Sequence, residues 1–242
     1  MHRTHDSTAI TRAVETARAG GIENLSMDLI FALPEAIERS WQRDIERMLV
    51  LDPPHVSLYG LTVEPQTPLG RWHGRGQVIE SPDERYEAEF LYAHEALTSA
   101  GFEHYEVSNF GKPKQHSRHN SAYWAGVPYA GLGPSAHEFD GLRRRWNGAP
   151  YAKWLSRLSD NADPIEDSEV LTAENRLAEG IYLGLRTSRG LVLSNAEMAR
   201  TEAWVDAGWA KRCANNHIVL TPHGWLRLDA LATDLTHVRS CY

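Results

Sequence analysis

Apolar residues recur with helical spacing over residues 8–19, where Ala9, Ile10, Ala13, Val14 and Ala17 share one face, Ser7 suits an N-cap and Gly20-Gly21 a stop. Residues 25–31 form instead a nearly unbroken apolar run between Asn24 and Pro34, the pattern of a buried strand. Alternation sets Ser26, Asp28 and Ile30 on one face and Leu25, Met27, Leu29 and Phe31 on the other, so a carboxylate is expected inside a buried strand. The pattern repeats with a helix over 35–51 that turns Trp41, Ile45, Met48 and Leu49 inward, and then a strand over 55–63. A helix over 82–100 and a shorter strand over 104–109 follow.

Strands separated by such helices predict α/β architecture with a mostly parallel sheet, whose ligands gather at the carboxyl ends of strands. Those ends carry Asp28 with the Leu33-Pro34 turn, then Glu64 and Thr67, then Ser108 and Asn109. Over 111–146 the texture changes to polar donors, aromatics and glycines, which predicts a loop-rich region of the kind that carries function. The remainder reads as a smaller unit. Thr172 is an N-cap for a helix over 173–186, followed by a helix over 194–204, a strand over 216–221, a Pro222-His223-Gly224 turn and a closing helix over 225–235. Helices followed by a hairpin suggest a winged-helix-like unit. The expected division is 1–150 and 151–242.

Charge narrows the function classes. Lys and Arg number 25 against 32 Asp and Glu, a net charge of −7, which opposes the clustered positive charge that nucleic-acid binding needs. Arg143-Arg144-Arg145, the one basic run, reads as a solvated loop. No apolar stretch approaches the ~20 residues of a membrane span, and the N-terminus has no signal-peptide core. The expectation is a cytoplasmic protein with no integral membrane segment. Cys213 and Cys241, the only cysteines, lie too far apart for a CxxC pair or zinc knuckle.

The segment 27–34, Met-Asp-Leu-Ile-Phe-Ala-Leu-Pro, resembles the DLIYGLP strand of the oxygen-independent coproporphyrinogen III oxidase family, whose members use radical S-adenosylmethionine chemistry. Arg118-His119-Asn120-Ser121-Ala122-Tyr123-Trp124 contains HNxxYW, which resembles the signature of the family's haem-chaperone, HemW-like branch. The likeness continues through Tyr59 to Glu64 with Thr67-Pro68, through Tyr105 to Phe110, through Gly131-Leu132-Gly133 with Ala136-His137, and through an ENxxxExxxxGLR element at Glu174-Asn175-Arg176, Glu179 and Leu183 to Arg186. The resemblance implies the C-terminal portion of an incomplete (β/α) barrel followed by a small α+β, winged-helix-like domain.

Family members carry an upstream CxxxCxxC for a [4Fe–4S] cluster and a glycine-rich S-adenosylmethionine segment. This chain opens at His2-Arg3-Thr4-His5, which resembles a mid-barrel GRTH, so both are expected to be missing. An open-iron cluster needs three converging thiolates, so no radical catalysis is expected of this chain alone. The resemblance implies vestigial S-adenosylmethionine contacts at Arg3 and Asp28. It also implies haem binding at His119, Asn120, Tyr123 and Trp124, with His137 as a second polar contact or alternative iron ligand, and an unidentified protein that accepts the haem. On residue types alone, the favoured reading is that His119 and Asn120 cap loop backbone groups while Tyr123 and Trp124 fill the core. His116 and His119 at HxxH spacing form only a weak metal signal. Glu174, Glu179 and Arg186 read as structural ties. The other reading is a fragment of the oxidase itself. Ala32, where the family uses glycine, departs from the pattern, as does the lack of GQ after Pro34.

Overall fold

The computed structural model describes residues 6–240, which pack as two compact units that divide at Ser117/Arg118. The packing boundary thus falls earlier than the expected one at 150. Arg3 lies outside the described residues.

The first unit opens with α1 (Ser7–Ala19), capped by Asp6, whose carboxylate accepts from the Ala9 N–H at 2.8 Å. Next comes β1 (Ser26–Phe31). The helix predicted over 35–51 begins only at α2 (Trp41–Val50), where Ser40 supplies the cap and Trp41, Ile45 and Met48 are buried as the periodicity predicts. Then follow β2 (His55–Gly60), a short α3 (Pro68–His73) capped by Thr67, and α4 (Asp83–Ser99). The single strand expected over 104–109 is a hairpin of β3 (Glu103–Glu106) and β4 (Asn109–Gly111).

Sheet order is β1-β2-β4-β3. Only β1 and β2 run parallel, and β4 lies antiparallel between β2 and β3, so the mostly parallel sheet is corrected to a mixed one. The turn at Val107-Ser108 folds the chain back because the buried Glu106 carboxylate accepts from the Asn109 amide beside it. As the sheet's terminal strand, β1 is half open. Asp28 is exposed there, and Phe31 is the strand's one buried residue. The expected buried carboxylate is therefore a surface one.

Burial in this unit centres on Glu89. Its carboxylate accepts from the Ala32 N–H at 2.7 Å, from Arg85 at 2.8 Å and from Arg39 at 3.2 Å, while its carbonyl accepts from the Trp41 indole at 2.8 Å. Burial alone would raise the Glu89 pKa, but these donors outweigh it and hold the carboxyl below its usual value. Ala32 is held there at φ 54°, a left-handed conformation that glycine adopts without strain. This is a physical reason for the family's glycine.

A second buried chain crosses the sheet. Ser26 Oγ meets His55 Nδ1 at 2.8 Å, His55 Nε2 meets the Tyr105 hydroxyl at 2.8 Å, and that hydroxyl accepts from the Ser117 N–H at 3.1 Å. Burial lowers the His55 pKa and pushes that of Tyr105 up to about 12. Nearby His104 stacks on Phe110 with centroids 3.7 Å apart, and burial beside His94 drives its pKa down to about 3.

The second unit begins with α5 (Arg118–Trp124), continues through β5 (His137–Phe139), β6 (Arg143–Asn147), α6 (Tyr151–Ser159) and β7 (Ile165–Val170), and reaches α7 (Ala173–Arg186). There follow β8 (Leu191–Val192), α8 (Asn195–Arg200), α9 (Glu202–Asp206), β9 (Ala210–Cys213), β10 (His217–Leu220), α10 (Pro222–Trp225) and α11 (Leu228–Ser240). One antiparallel sheet is β5-β6-β7 and another is β8-β10-β9. The region expected to be loop-rich, 111–146, is irregular over most of its length and carries α5, β5 and most of β6.

The bounds of α7 and its Thr172 cap match the sequence pattern, and Ile181 and Leu185 are buried. Leu193, Trp204, Ile218, Trp225 and Leu235 are buried in the same unit, and the Trp225 indole donates to the Leu185 carbonyl at 3.1 Å. The helix predicted over 194–204 breaks at Thr201 into α8 and α9. Asn215 and Asn216 both take φ near +57° between β9 and β10 (58° and 56°), which asparagine tolerates best among side-chain-bearing residues.

Candidate functional site

Helix α5 sets His119 and Tyr123 four residues apart on one face, with ring centroids 4.8 Å apart and edge-on. Tyr123 continues to Tyr129 at 4.4 Å, and Tyr129 to Phe139 at 6.2 Å. Backbone bonds between Tyr129 and Phe139 at 2.8 and 2.9 Å hold that end of the row against β5. His119 is exposed, Asn120, Tyr123 and Trp124 are half-buried, and no hydrogen bond among the described residues ties either His119 nitrogen. The motif is thus helical rather than a loop, and Tyr123 and Trp124 are not fully enclosed core residues.

Trp124 meets a residue that the sequence reading took as a structural tie. The Arg186 guanidinium, at the end of α7, lies 4.1 Å over the Trp124 ring. This brings the ends of HNxxYW and of the ENxxxExxxxGLR element together. Glu179, about two turns earlier on α7, ion-pairs with Arg144. Arg144 also donates to the Tyr129 hydroxyl and sits 5.4 Å over Phe139. Desolvation raises the Tyr129 pKa, and the Glu179 hydrogen bond raises that of Arg144.

The basic run is therefore strand β6 rather than a solvated loop, with Arg144 held by Glu179 and Arg145 by Glu138. Sequence reading missed Tyr129 and Arg144. Their signal was the aromatic alternation of 137–139 facing a cationic strand, which alone does not name a partner.

His137 is exposed on β5 and its ring stacks on Trp146 at 5.7 Å, opposite it in register. It shares a strand face with Phe139, which links it by way of Tyr129 to Tyr123. The Gly131-Leu132-Gly133 segment is strapped to this sheet by the Asn147 amide, which donates to the Gly131 and Gly133 carbonyls at 3.3 and 2.8 Å. A Cβ on Gly131 would stand 2.6 Å from the His137 carbonyl oxygen, so the approach requires glycine. The strap presents Leu132 with 90% of its surface exposed.

His116 belongs elsewhere. It stacks on Tyr105 at 4.1 Å and pairs with Glu103 at 2.7 Å, within the first unit. Among the described residues no group of three His, Cys, Asp or Glu converges on a metal-sized site. Asp28 lines an open groove of about 900 Å³ with Met27, Ile30, Arg39 and Met48. Its expected companion Arg3 is outside the described residues. A [4Fe–4S] cluster does not fit the donor set either: Cys213 is exposed on β9, and the sequence holds one further cysteine.

No protein-family model matches the chain. Curated relatives do. The "Heme chaperone HemW" of Synechocystis is 39% identical over 78% of this chain and 46% of that protein. The protein of the same name from Mycobacterium tuberculosis H37Rv is 31% identical over 97% of this chain and 61% of its own length. By sequence the chain is HemW-like. It corresponds to the C-terminal part of those relatives and spans about half the length of the first of them. Among solved structures, Escherichia coli coproporphyrinogen III oxidase, HemN, titled a radical SAM enzyme, aligns with a TM-score of 0.71 over 97% of this chain and 59% of its own, at 17% identity. The HemW-like chain thus shares the mixed α/β fold of that structure. Among the described residues no helix is long and apolar enough to cross a membrane.

Proposed function

We propose that this chain binds haem at α5 and passes it to an acceptor protein, as a HemW-like chaperone in the cytoplasm. The observation that carries the reading is His119 itself, exposed on α5 with its ring braced edge-on by Tyr123 and its nitrogens untied among the described residues. An imidazole held in that way would be able to ligate haem iron, and Tyr123 and Trp124 would offer apolar surface to a macrocycle. Asn120 flanks the ligand, and His137 is the alternative ligand. Unligated haem is hydrophobic, and an exposed ligand suits a protein that must release it again.

The architecture proposed for the two units is the later part of a (β/α) barrel and a small winged-helix-like domain. Arg3 and Asp28 are then remnants of an S-adenosylmethionine contact. The other reading, a coproporphyrinogen oxidase fragment, draws on the fold likeness to HemN. HNxxYW and the HemW-like identity favour the chaperone.

Titration with haem, followed at the Soret band, tests the proposal. Saturable binding is expected for the natural chain, with affinity lowered at least about tenfold in His119→Ala. Unchanged binding in the variant removes His119 as the ligand, and no binding by the natural chain removes the proposal.

A further inference from the structure

Acidic residues are unevenly spread along the chain. It carries 32 Asp and Glu in 242 residues, yet none stands between Val107 and His137, the stretch that holds α5 with His116, His119 and His137. In a chain of net charge −7, such a stretch is where an anionic ligand meets the least repulsion. Of the cations within it, Lys112 is engaged by Asp52 and Lys114 belongs to the first unit, which leaves Arg118 on the helix itself. On β6, Arg144 is engaged by Glu179 and Arg145 by Glu138. Arg118 differs from them: it is exposed, and no hydrogen bond, ion pair or ring contact holds its guanidinium among the described residues. Its neighbours one turn on, Ser121 and Ala122, are too small to cover it. Arg118 directly precedes His119, and successive residues of a helix project about 100° apart, so an imidazole and a guanidinium placed in this way meet different parts of one broad ligand.

We infer that Arg118 is a specificity residue of the α5 site: its guanidinium pairs with an acid side chain of the porphyrin that His119 ligates, so the site selects porphyrins whose carboxylates are free. This rests on the haem reading of α5. The planar fork of an arginine suits a carboxylate in two-point contact. Its exposed setting keeps the gain near that of a partly screened pair, about threefold to tenfold in affinity. The acid-free stretch around it supplies the rest of the preference by withholding repulsion, and His119 supplies the bond to iron.

The test compares haem with its dimethyl ester, in which both carboxylates are masked, by Soret titration of the full chain and of Arg118→Gln, Arg118→Lys and Lys114→Gln. Glutamine removes the charge at Arg118 and lysine keeps it without the fork, while Lys114→Gln removes the same charge from the acid-free stretch outside α5. The natural chain is expected to favour the free acid by about threefold to tenfold. Arg118→Gln should lower affinity for the free acid to that for the ester, Arg118→Lys should retain part of the preference, and Lys114→Gln should retain nearly all of it. Equal affinity of the natural chain for both porphyrins overturns the inference and leaves the haem reading standing. Equal weakening of both porphyrins in Arg118→Gln overturns it too, since Arg118 then only supports the helix. A loss of preference in Lys114→Gln as large as in Arg118→Gln overturns it in favour of the general charge of the stretch. Failure of the natural chain to bind either porphyrin overturns the haem reading and the inference with it.

Discussion

In the first unit the Glu89 carboxylate is buried among Ala32, Arg85 and Arg39, and the His55 ring is held at both nitrogens by Ser26 and Tyr105. In the second unit His119 stands exposed on a helix of seven residues, its ring touched by Tyr123 alone among the ring contacts of the described residues. Polar groups of similar chemistry therefore have opposite fates. Those of the first unit are saturated by one another and fix the fold, and that of the second retains valence for a ligand. Titratable residues in a sheet core are evidence of chemistry only when something about them is left unsatisfied.

The comparison breaks most visibly at Glu89. Glu89→Ala leaves two partly buried guanidinium groups facing each other and is expected to destabilise the first unit by about 3 kcal/mol, measured by urea unfolding. Haem affinity should remain within about twofold. An unaffected stability would mean that the cluster is not what holds this unit.

Acid sharpens the same contrast. His104 titrates near 6.5 when unfolded and at about 3 when folded, so the unfolded state binds the extra proton between these values. Its contribution is complete above pH 6.5 and is lost as pH falls toward 3. Glu89, with its lowered pKa, adds a further loss below the ordinary carboxylate range. The melting temperature should thus fall as pH drops below about 6.5, and His104→Phe, which keeps the stack on Phe110, should flatten the slope in the upper part of that window. An equal slope in the variant removes His104 as its source.

The smallest effect is expected at Ala32. Its φ of 54° costs about 1 kcal/mol for a residue with a Cβ, and part of that is offset by the greater chain entropy of glycine. Ala32→Gly should stabilise the first unit by about 0.5 kcal/mol, read from the shift in urea midpoint. Destabilisation would show that the Cβ packs better than the backbone is strained.

Much of this architecture was legible where periodicity is long. α7 and its cap follow from Thr172 and the spacing of Leu177, Ile181 and Leu185, and the inward face of α2 from Trp41, Ile45 and Met48. Short elements were hidden because tertiary contacts rather than propensity hold them. α5 has only seven residues, with His, Asn and Ser near its start, and sequence alone gives it the look of a loop. The hairpin at Val107-Ser108 is made by Glu106 meeting Asn109, a contact that no alternation encodes.

β6 reads as a solvated run because the carboxylates that draw it into a sheet, Glu138 and Glu179, are 7 and 35 residues away along the chain. Asp28 looked buried because an apolar run does not say whether its strand lies inside a sheet or at its end. The candidate site was legible as HNxxYW, but its row through Tyr129 to Phe139 and its meeting with Arg186 depend on the fold.

Thermal melting with and without saturating haem, run on the natural chain, Glu89→Ala and His119→Ala, tests the division between the two units most directly. A ligand that binds only the native state raises its melting temperature. The account predicts that Glu89→Ala melts lower but keeps the full haem-induced rise, whereas His119→Ala melts near the natural chain without haem and loses most of the rise. A full rise in His119→Ala, or its loss in Glu89→Ala at a temperature where that variant is folded, would contradict it.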